Sequence, residues 1–344
     1  MRPSSVQAVM IHVLLALLPA IGLHLFFFGW GIVIQITLAI AFALIFEAGA
    51  LRLRDRPVKV FITDGSAVLA AVLFALSIPP MSPWWVALTG MFFAIVIAKQ
   101  LYGGVGHNVF NPAMVGFAAV IIAFPEALTQ WITPQNLSNN TLDFLTTFHV
   151  IVSGHLPASM SWDTLSEATP LDLIRSGLAE GKTLTEIRTD AMFGLAGSAG
   201  WEWIVLAYVV GGIYLLWKKV ISGHVPYSIL VTTFLLGAAG WIIDPDLFRS
   251  PLQQLMAGSL VMCAFFIATD PVSGPSTPKG KIIFGIGIVI LTLSIRAWGG
   301  FPDGVAFAVL LMNMAVPLID YYTRPPIFGH STVPSPASRR SNTP

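Results

Sequence analysis

Residues 8–51 read AVMIHVLLALLPAIGLHLFFFGWGIVIQITLAIAFALIFEAGAL, a stretch in which Glu47 is the only Asp, Glu, Lys or Arg. About 20 apolar residues suffice to cross a bilayer as a helix, so the stretch holds two spans, 8–28 and 31–51. Lipid gives backbone groups no partner outside a helix or a closed barrel, which makes the crossings helical. The same composition continues outward. The chain has 344 residues, 55% hydrophobic and 10% charged, against about 25% charged in a soluble domain. Apolar segments at 65–79, 84–100, 108–124, 202–217, 225–243, 254–268, 281–296 and 303–321 bring the expected number of spans to ten. The expected class is an all-α polytopic membrane protein. Met1–Val9 is weakly basic and runs into the first apolar stretch without a cleavage site, so it reads as part of a retained first helix.

Few charges remain, and their placement is informative. A net charge of +1 gives no basic excess for displacing counterions from nucleic acid. Cys263 is the lone cysteine, which excludes an internal disulfide, a cysteine-based zinc site and an iron–sulfur cluster held by this chain alone. With the N-terminus inside, 13 of the 18 Lys and Arg residues fall on the cytoplasmic side; Arg175, Lys182, Arg188, Arg249 and Arg296 fall outside. The positive-inside rule therefore places both termini in the cytoplasm and residues 125–201 on the outer face. That segment is too long to be a plain connection. Its acids outnumber its bases eight to three, so a phosphate there would need local donors. The expected organisation is a first five-helix unit over 1–124, an extracytoplasmic loop over 125–201, a second unit over 202–322 and a disordered Pro/Ser-rich tail over 323–344.

The two units share punctuation. The third span of each ends in a proline break, Ser77-Ile78-Pro79-Pro80 and Thr269-Asp270-Pro271. A Gly-Gly pair, Gly103-Gly104 and Gly299-Gly300, then precedes each fifth span. Five spans per unit would insert the second unit upside down, with the broken helices meeting near the midplane to hold a ligand or ion. Ordinary loops between packed helices would give the same layout.

Three short segments carry chemistry. Gly103 to Ala113 holds Asn108 and Asn111 at a helix start, where Asn111-Pro112 is also an ordinary N-cap. Thr269 to Ser276 sets Asp270 beside a helix break, as a ligand contact or simply a turn. Glu47, Asp64, Asp303 and Asp320 lie near span ends, where capping or snorkelling accounts for them. In the outer loop, Thr169-Pro170-Leu171-Asp172 reads as an N-cap, a first-position proline and a first-turn acid, with Ile174 on the buried face and Gly177 as the stop. A helix N-terminus also favours a phosphate, by about 0.3–1 kcal/mol at an exposed site.

Ser166-Glu167-Ala168-Thr169 resembles the flavinylation motif of the NqrB/RnfD family, commonly Ser-Gly-Ala-Thr, with Asp163 just upstream. The likeness extends to Gly103–Ala113, Thr269–Pro275 and the run from Pro302 to Phe307. It departs at Glu167, where the family usually has glycine. The chain length is nearer to the RnfD branch. The resemblance implies two inverted five-helix repeats like those of urea transporters and FMN esterified through its phosphate to Thr169 by a flavin transferase outside the bacterial cytoplasmic membrane. It further implies a second, noncovalent flavin, riboflavin, in the membrane core, for which Asn108, Asn111, Thr269 and Asp270 are the candidate polar contacts. Trp162 and His155 are candidate walls for the FMN ring. The implied role is that of an electron-relaying subunit of an Rnf-type ferredoxin:NAD oxidoreductase coupled to Na⁺ or H⁺ movement. Its partners would be the other membrane and peripheral subunits, among them a second covalent-FMN subunit and iron–sulfur subunits. The competing expectation is a urea-transporter-like channel without flavin, and a third is a scaffold that has lost its cofactor, suggested by Glu167.

Overall fold

The computed structural model describes residues 5–135, 137, 142–157, 160–166, 168–190, 192–194, 199–301 and 303–325, without the side chains of Asp163 and Thr164. Glu167, Pro302 and the tail beyond Pro325 lie outside the described residues. The first part of the chain forms α1 (Val6–Phe28), α2 (Gly31–Leu53), α3 (Val58–Ile62), α4 (Ser66–Ala75), α5 (Trp84–Met91, continued as π-helix over Phe92–Gln100) and α6 (Pro112–Ala123). Five shorter helices follow: α7 (Pro125–Thr129), α8 (Phe144–Ser153), α9 (Trp162–Leu165), α10 (Pro170–Ala179) and α11 (Leu184–Ile187). The last part forms α12 (Trp201–Trp217), α13 (His224–Ile243), α14 (Pro251–Met256), α15 (Leu260–Met262, continued as π-helix over Cys263–Ile267), α16 (Pro278–Trp298) and α17 (Val305–Thr323). Outside the helices, Ile132 and Ser166 form an isolated antiparallel bridge.

Five of these helices, α1, α2, α13, α16 and α17, are long and apolar enough to cross a membrane, and further apolar helices are shorter. The chain is a multi-pass membrane protein. One device recurs at the helix starts: an oxygen-bearing side chain caps the helix and proline takes the first position, where no N–H is needed. Asn111-Pro112, Thr169-Pro170, Ser250-Pro251 and Thr277-Pro278 all use it.

α1 packs along α12, α2 against α4 and α5, α13 against α14 and α16, and α17 against both α16 and α6. Small residues allow the closest crossings, as expected for helices that gain little from hydrophobic contrast in lipid. A Cβ on Gly211 would lie 2.2 Å from the Ala16 carbonyl oxygen, and one on Gly116 would lie 2.6 Å from that of Gly90.

Four sequence expectations are corrected. The segment 254–268 is not one helix; it breaks at Ala257–Ser259, where Gly258 adopts φ +72°. The Ser259 N–H and hydroxyl donate to Asp303 at 2.8 and 2.7 Å, and this long-range tie competes with helix continuation. Gly177 lies inside α10, which runs to Ala179; a Cβ there would meet Ile187 of α11 at 2.6 Å, so the glycine serves a close approach. The two Gly-Gly pairs differ: Gly103 and Gly104 have φ of +123° and +97°, whereas Gly299 has φ −81°. Finally, the segment read as a hydrophilic loop contains the apolar α8, packed on α2.

Candidate functional site

Thr169 is the N-cap of α10. Its Oγ1 accepts from the Asp172 N–H at 3.3 Å and donates its hydroxyl proton to Asp172 Oδ2 at 2.5 Å. Arg175 fastens the same helix by donating to the Gly300 carbonyl at 2.6 Å, and Leu171 packs at the Gly258 break. The Thr169 side chain lines a cavity of about 160 Å³. Phe117, Trp131, Trp201 and Tyr208 supply aromatic lining, while Leu76, Ser77, Met262 and Ile267 bring in the ends of α4 and the interrupted α15.

His24 also lines this space, fully buried, with Nε2 3.3 Å from the Tyr208 hydroxyl and Nδ1 without a hydrogen-bond partner. Leaving a buried polar atom unpaired costs about 1–3 kcal/mol, so a ligand edge bearing a hydrogen-bonding group suits this wall. Among the described residues no Lys or Arg lines the cavity, and Asp172 and Asp303 are its acids. Burial acts to raise the Asp303 carboxyl, but the Arg296 guanidinium, the Ser259 N–H and the Ser259 hydroxyl outweigh it and hold the group below its ordinary value. The aromatic lining suits a flat aromatic ligand, and a phosphate on Thr169 would lie at the N-terminal end of α10, where the helix dipole favours negative charge.

Trp162 and His155 do not line this cavity. The walls of this cavity come from α1, α6, α12 and the turn around Trp131. A histidine inside an apolar span was the one available signal, since His24 has no local reason to be there. Ser166 is tied locally, its Oγ donating to the Trp162 carbonyl at 2.8 Å, and Ala168 is exposed.

A second cavity, of about 130 Å³, brings Asn108, Asn111, Thr269 and Asp270 together. Asn111 is fully occupied: its Oδ1 caps Met114 N–H at 3.3 Å, its Nδ2 donates to the Ile267 carbonyl at 3.2 Å, and its own N–H donates to Asn313 Oδ1 at 3.1 Å. Asp270 accepts from the Ser273 hydroxyl at 2.7 Å and from Val272 N–H at 3.2 Å. Burial still raises its carboxyl above the ordinary value, only partly offset by these donors. Thr269 turns its hydroxyl back to the Phe265 carbonyl at 2.8 Å.

Lys99, brought to this cavity by the π-helical end of α5, was not among the sequence candidates. Its Nζ lies 2.5 Å from Glu47 Oε1 and 2.8 Å from Ser66 Oγ. Both ionic side chains are buried, which corrects the snorkelling account of Glu47. Asp64 and Asp320 accept from the Ser66 and Ser276 N–H groups at 2.7 and 3.0 Å.

The two cavities stack along the same helices. Ala113 lines one and Met114 the other, and Phe266 and Ile267 divide in the same way.

Fold and site together define a multi-pass helical membrane protein with paired internal cavities at its helix breaks, one of them lined by a capping threonine. The chain belongs to the NQR2, RnfD, RnfE family, whose sequence profile it matches over residues 1–329. It is 46% identical over 330 residues to the D subunit of the ion-translocating oxidoreductase complex of Escherichia coli O127:H6 (strain E2348/69 / EPEC), covering 94% of each chain. The protein of the same name from Shigella dysenteriae serotype 1 (strain Sd197) is 45% identical over 330 residues, again with 94% of each chain covered.

Proposed function

We propose that the chain serves as the RnfD subunit of an ion-translocating oxidoreductase complex, carrying FMN as a phosphoester on Thr169 and relaying electrons to a second, noncovalently held flavin, riboflavin. The observation that carries this reading is that Thr169, the N-cap of α10, lines an aromatic-walled cavity. Bound there, FMN supplies one- and two-electron redox chemistry. The rest falls to the protein. Asp172 orients the Thr169 hydroxyl and holds its proton, α10 offers N–H groups to a phosphate, and Trp131, Trp201 and Phe117 exclude water from a ring. Asn108 and Asp270, with Lys99 beside them, furnish polar contacts in the second cavity, while Asn111 and Thr269 shape its wall. Adjacent residues of α6 and of the 263–267 π-helix line the two cavities, which suits transfer from one to the other. Asp163, Ser166 and Ala168 belong to the segment a flavin transferase recognises.

The same reading places 1–124 and 202–322 as inverted repeats flanking the loop 125–201, with 323–344 as a tail. Corresponding helices pack alike, α2 on α4 and α5 as α13 on the π-helical 263–267 and α16; the first helices pair as α1 with α12 and the fifth as α6 with α17. Both termini then lie in the cytoplasm of a bacterial cell and Thr169 on the periplasmic side of the inner membrane. Electron donors and acceptors are partner subunits bearing covalent FMN and iron–sulfur clusters, since Cys263 alone cannot hold a cluster. Coupling is to Na⁺ or H⁺ movement by the assembled complex.

The test is direct. Coexpressed with its flavin transferase, the denatured chain should fluoresce as a flavoprotein and gain one FMN-sized mass on the peptide containing Thr169. Retention of that mass in Thr169→Val sinks the assignment. A urea-transporter-like channel would instead show solute flux in liposomes and no chromophore.

A further inference from the structure

The segment joining α13 to α14 doubles back along α13. A Cβ on Gly240 would lie 3.0 Å from the Phe248 ring, and one on Gly237 would lie 3.0 Å from Pro251 Cα. Gly237 precedes the end of α13 by six residues, about 9 Å at the helical rise. Arg249 is therefore held level with the last two turns of a helix long enough to span a bilayer, at the depth of lipid headgroups and not in bulk water.

Arg249 is only 8% exposed, yet its guanidinium makes no hydrogen bond or ion pair among the described residues, and Nη1 is buried without a partner. Two more guanidiniums adjoin it. Arg296 is committed to Asp303 and to the Ala257 carbonyl, and Arg188 bonds Gln253 while its buried Nε has no partner. The nearby carboxylates do not balance this charge: Asp303 is paired with Arg296 and Asp246 neighbours Arg188, which leaves two acids against three guanidiniums. Burial, then the neighbouring Arg296, lowers the Arg249 guanidinium to about 9, so it stays charged at neutral pH. An uncompensated buried cation is costly, and a site of this kind is stabilised by an anion. Ile242, Ile243, Leu247, Phe248 and Leu252 flank it, all exposed and apolar.

We propose that Arg249, supported by Arg188 and Arg296, is the binding site for the phosphodiester of an anionic phospholipid, whose acyl chains lie on the exposed aliphatic end of α13 and α14. The apolar surroundings favour a lipid over a soluble anion. The flavin phosphate is a poorer candidate, because none of these arginines lines the Thr169 cavity. This site stands independently of the flavin reading.

The test uses the full-length chain with its co-purifying subunits in nanodiscs of phosphatidylcholine, with or without phosphatidylglycerol. The readouts are lipids retained by native mass spectrometry and the thermal transition. Wild type should retain phosphatidylglycerol about tenfold over phosphatidylcholine, the factor expected of one charge-assisted contact, and Arg249→Gln should lose that preference. Where Arg249→Gln does not accumulate, Arg188→Gln should reduce the preference severalfold. No preference in wild type, or full preference in the variant that accumulates, overturns the site. Inorganic phosphate protecting as well as phosphatidylglycerol overturns the lipid as its source. Loss of a co-purifying subunit from Arg249→Gln with lipid retention unchanged overturns it in favour of a protein carboxylate.

Discussion

The backbone N–H of Asn111 donates to Asn313 Oδ1 at 3.1 Å, joining the start of α6 to the middle of α17 across 202 positions of chain. Asn313 also donates from Nδ2 to the Ser273 carbonyl at 2.9 Å, so one buried amide ties together two helix breaks and a spanning helix. In Asn313→Leu, a buried N–H and a buried carbonyl both lose their partner, at about 1–3 kcal/mol each. The variant should show a lower thermal transition and a second cavity with reduced flavin occupancy. An unchanged transition would show that these two groups find other partners.

Asp270 lines the second cavity and accepts from the Ser273 hydroxyl and the Val272 N–H, with the Asn108 amide also bonding to it. Burial raises its carboxyl, so the folded state favours the protonated form and stability declines as pH rises through the raised value. Asp270→Asn removes that cost. It should leave stability at neutral pH equal or higher, lower the noncovalent flavin content and spare the covalent FMN; unchanged riboflavin occupancy would remove Asp270 from the site.

The Arg296–Asp303 pair, 3.1 Å apart, fixes the Gly258 break beneath α10. Arg296 is 3% exposed against 23% for Asp303, so the arginine bears the greater burden when the pair is broken. Asp303→Asn should cost about 3 kcal/mol at neutral pH, the lower end for a buried pair, measured by thermal unfolding. Because the Asp303 carboxyl is depressed, the stabilisation is present above the ordinary carboxylate value and is lost as pH falls through the folded-state value. The gap between wild type and Asp303→Asn should accordingly close in acid. A gap that persists there would assign the effect to something other than ionisation.

Orientation is checked with reporters. A fusion after Arg54 should report the cytoplasm, and an insertion near Asn140 the outer side. The opposite pattern would reverse the placement of Thr169.

Much of this molecule is local and was therefore readable from residue order. Span positions follow from the length of apolar runs, and the helix starts at Asn111-Pro112 and Thr169-Pro170 follow from capping chemistry confined to four residues. The loop threonine and the four polar residues of the second cavity were legible as residues, through motif and punctuation, although Lys99 was not. What surrounds them was not legible. The aromatic walls at Thr169 come from α6, α12 and the turn at Trp131, and the break at Gly258 answers to Asp303, 45 positions later. Glu47 shows the limit most plainly. In the sequence it is an acid near a span end, and only packing α2 against the π-helical end of α5 turns it into half of a buried ion pair with Lys99. The sequence by itself determined where the long apolar helices run, because hydrophobic length and caps act within one segment. The tertiary structure alone decided which side chains share a cavity or a charge, because those partners are dozens to hundreds of residues apart and meet only when the helices pack.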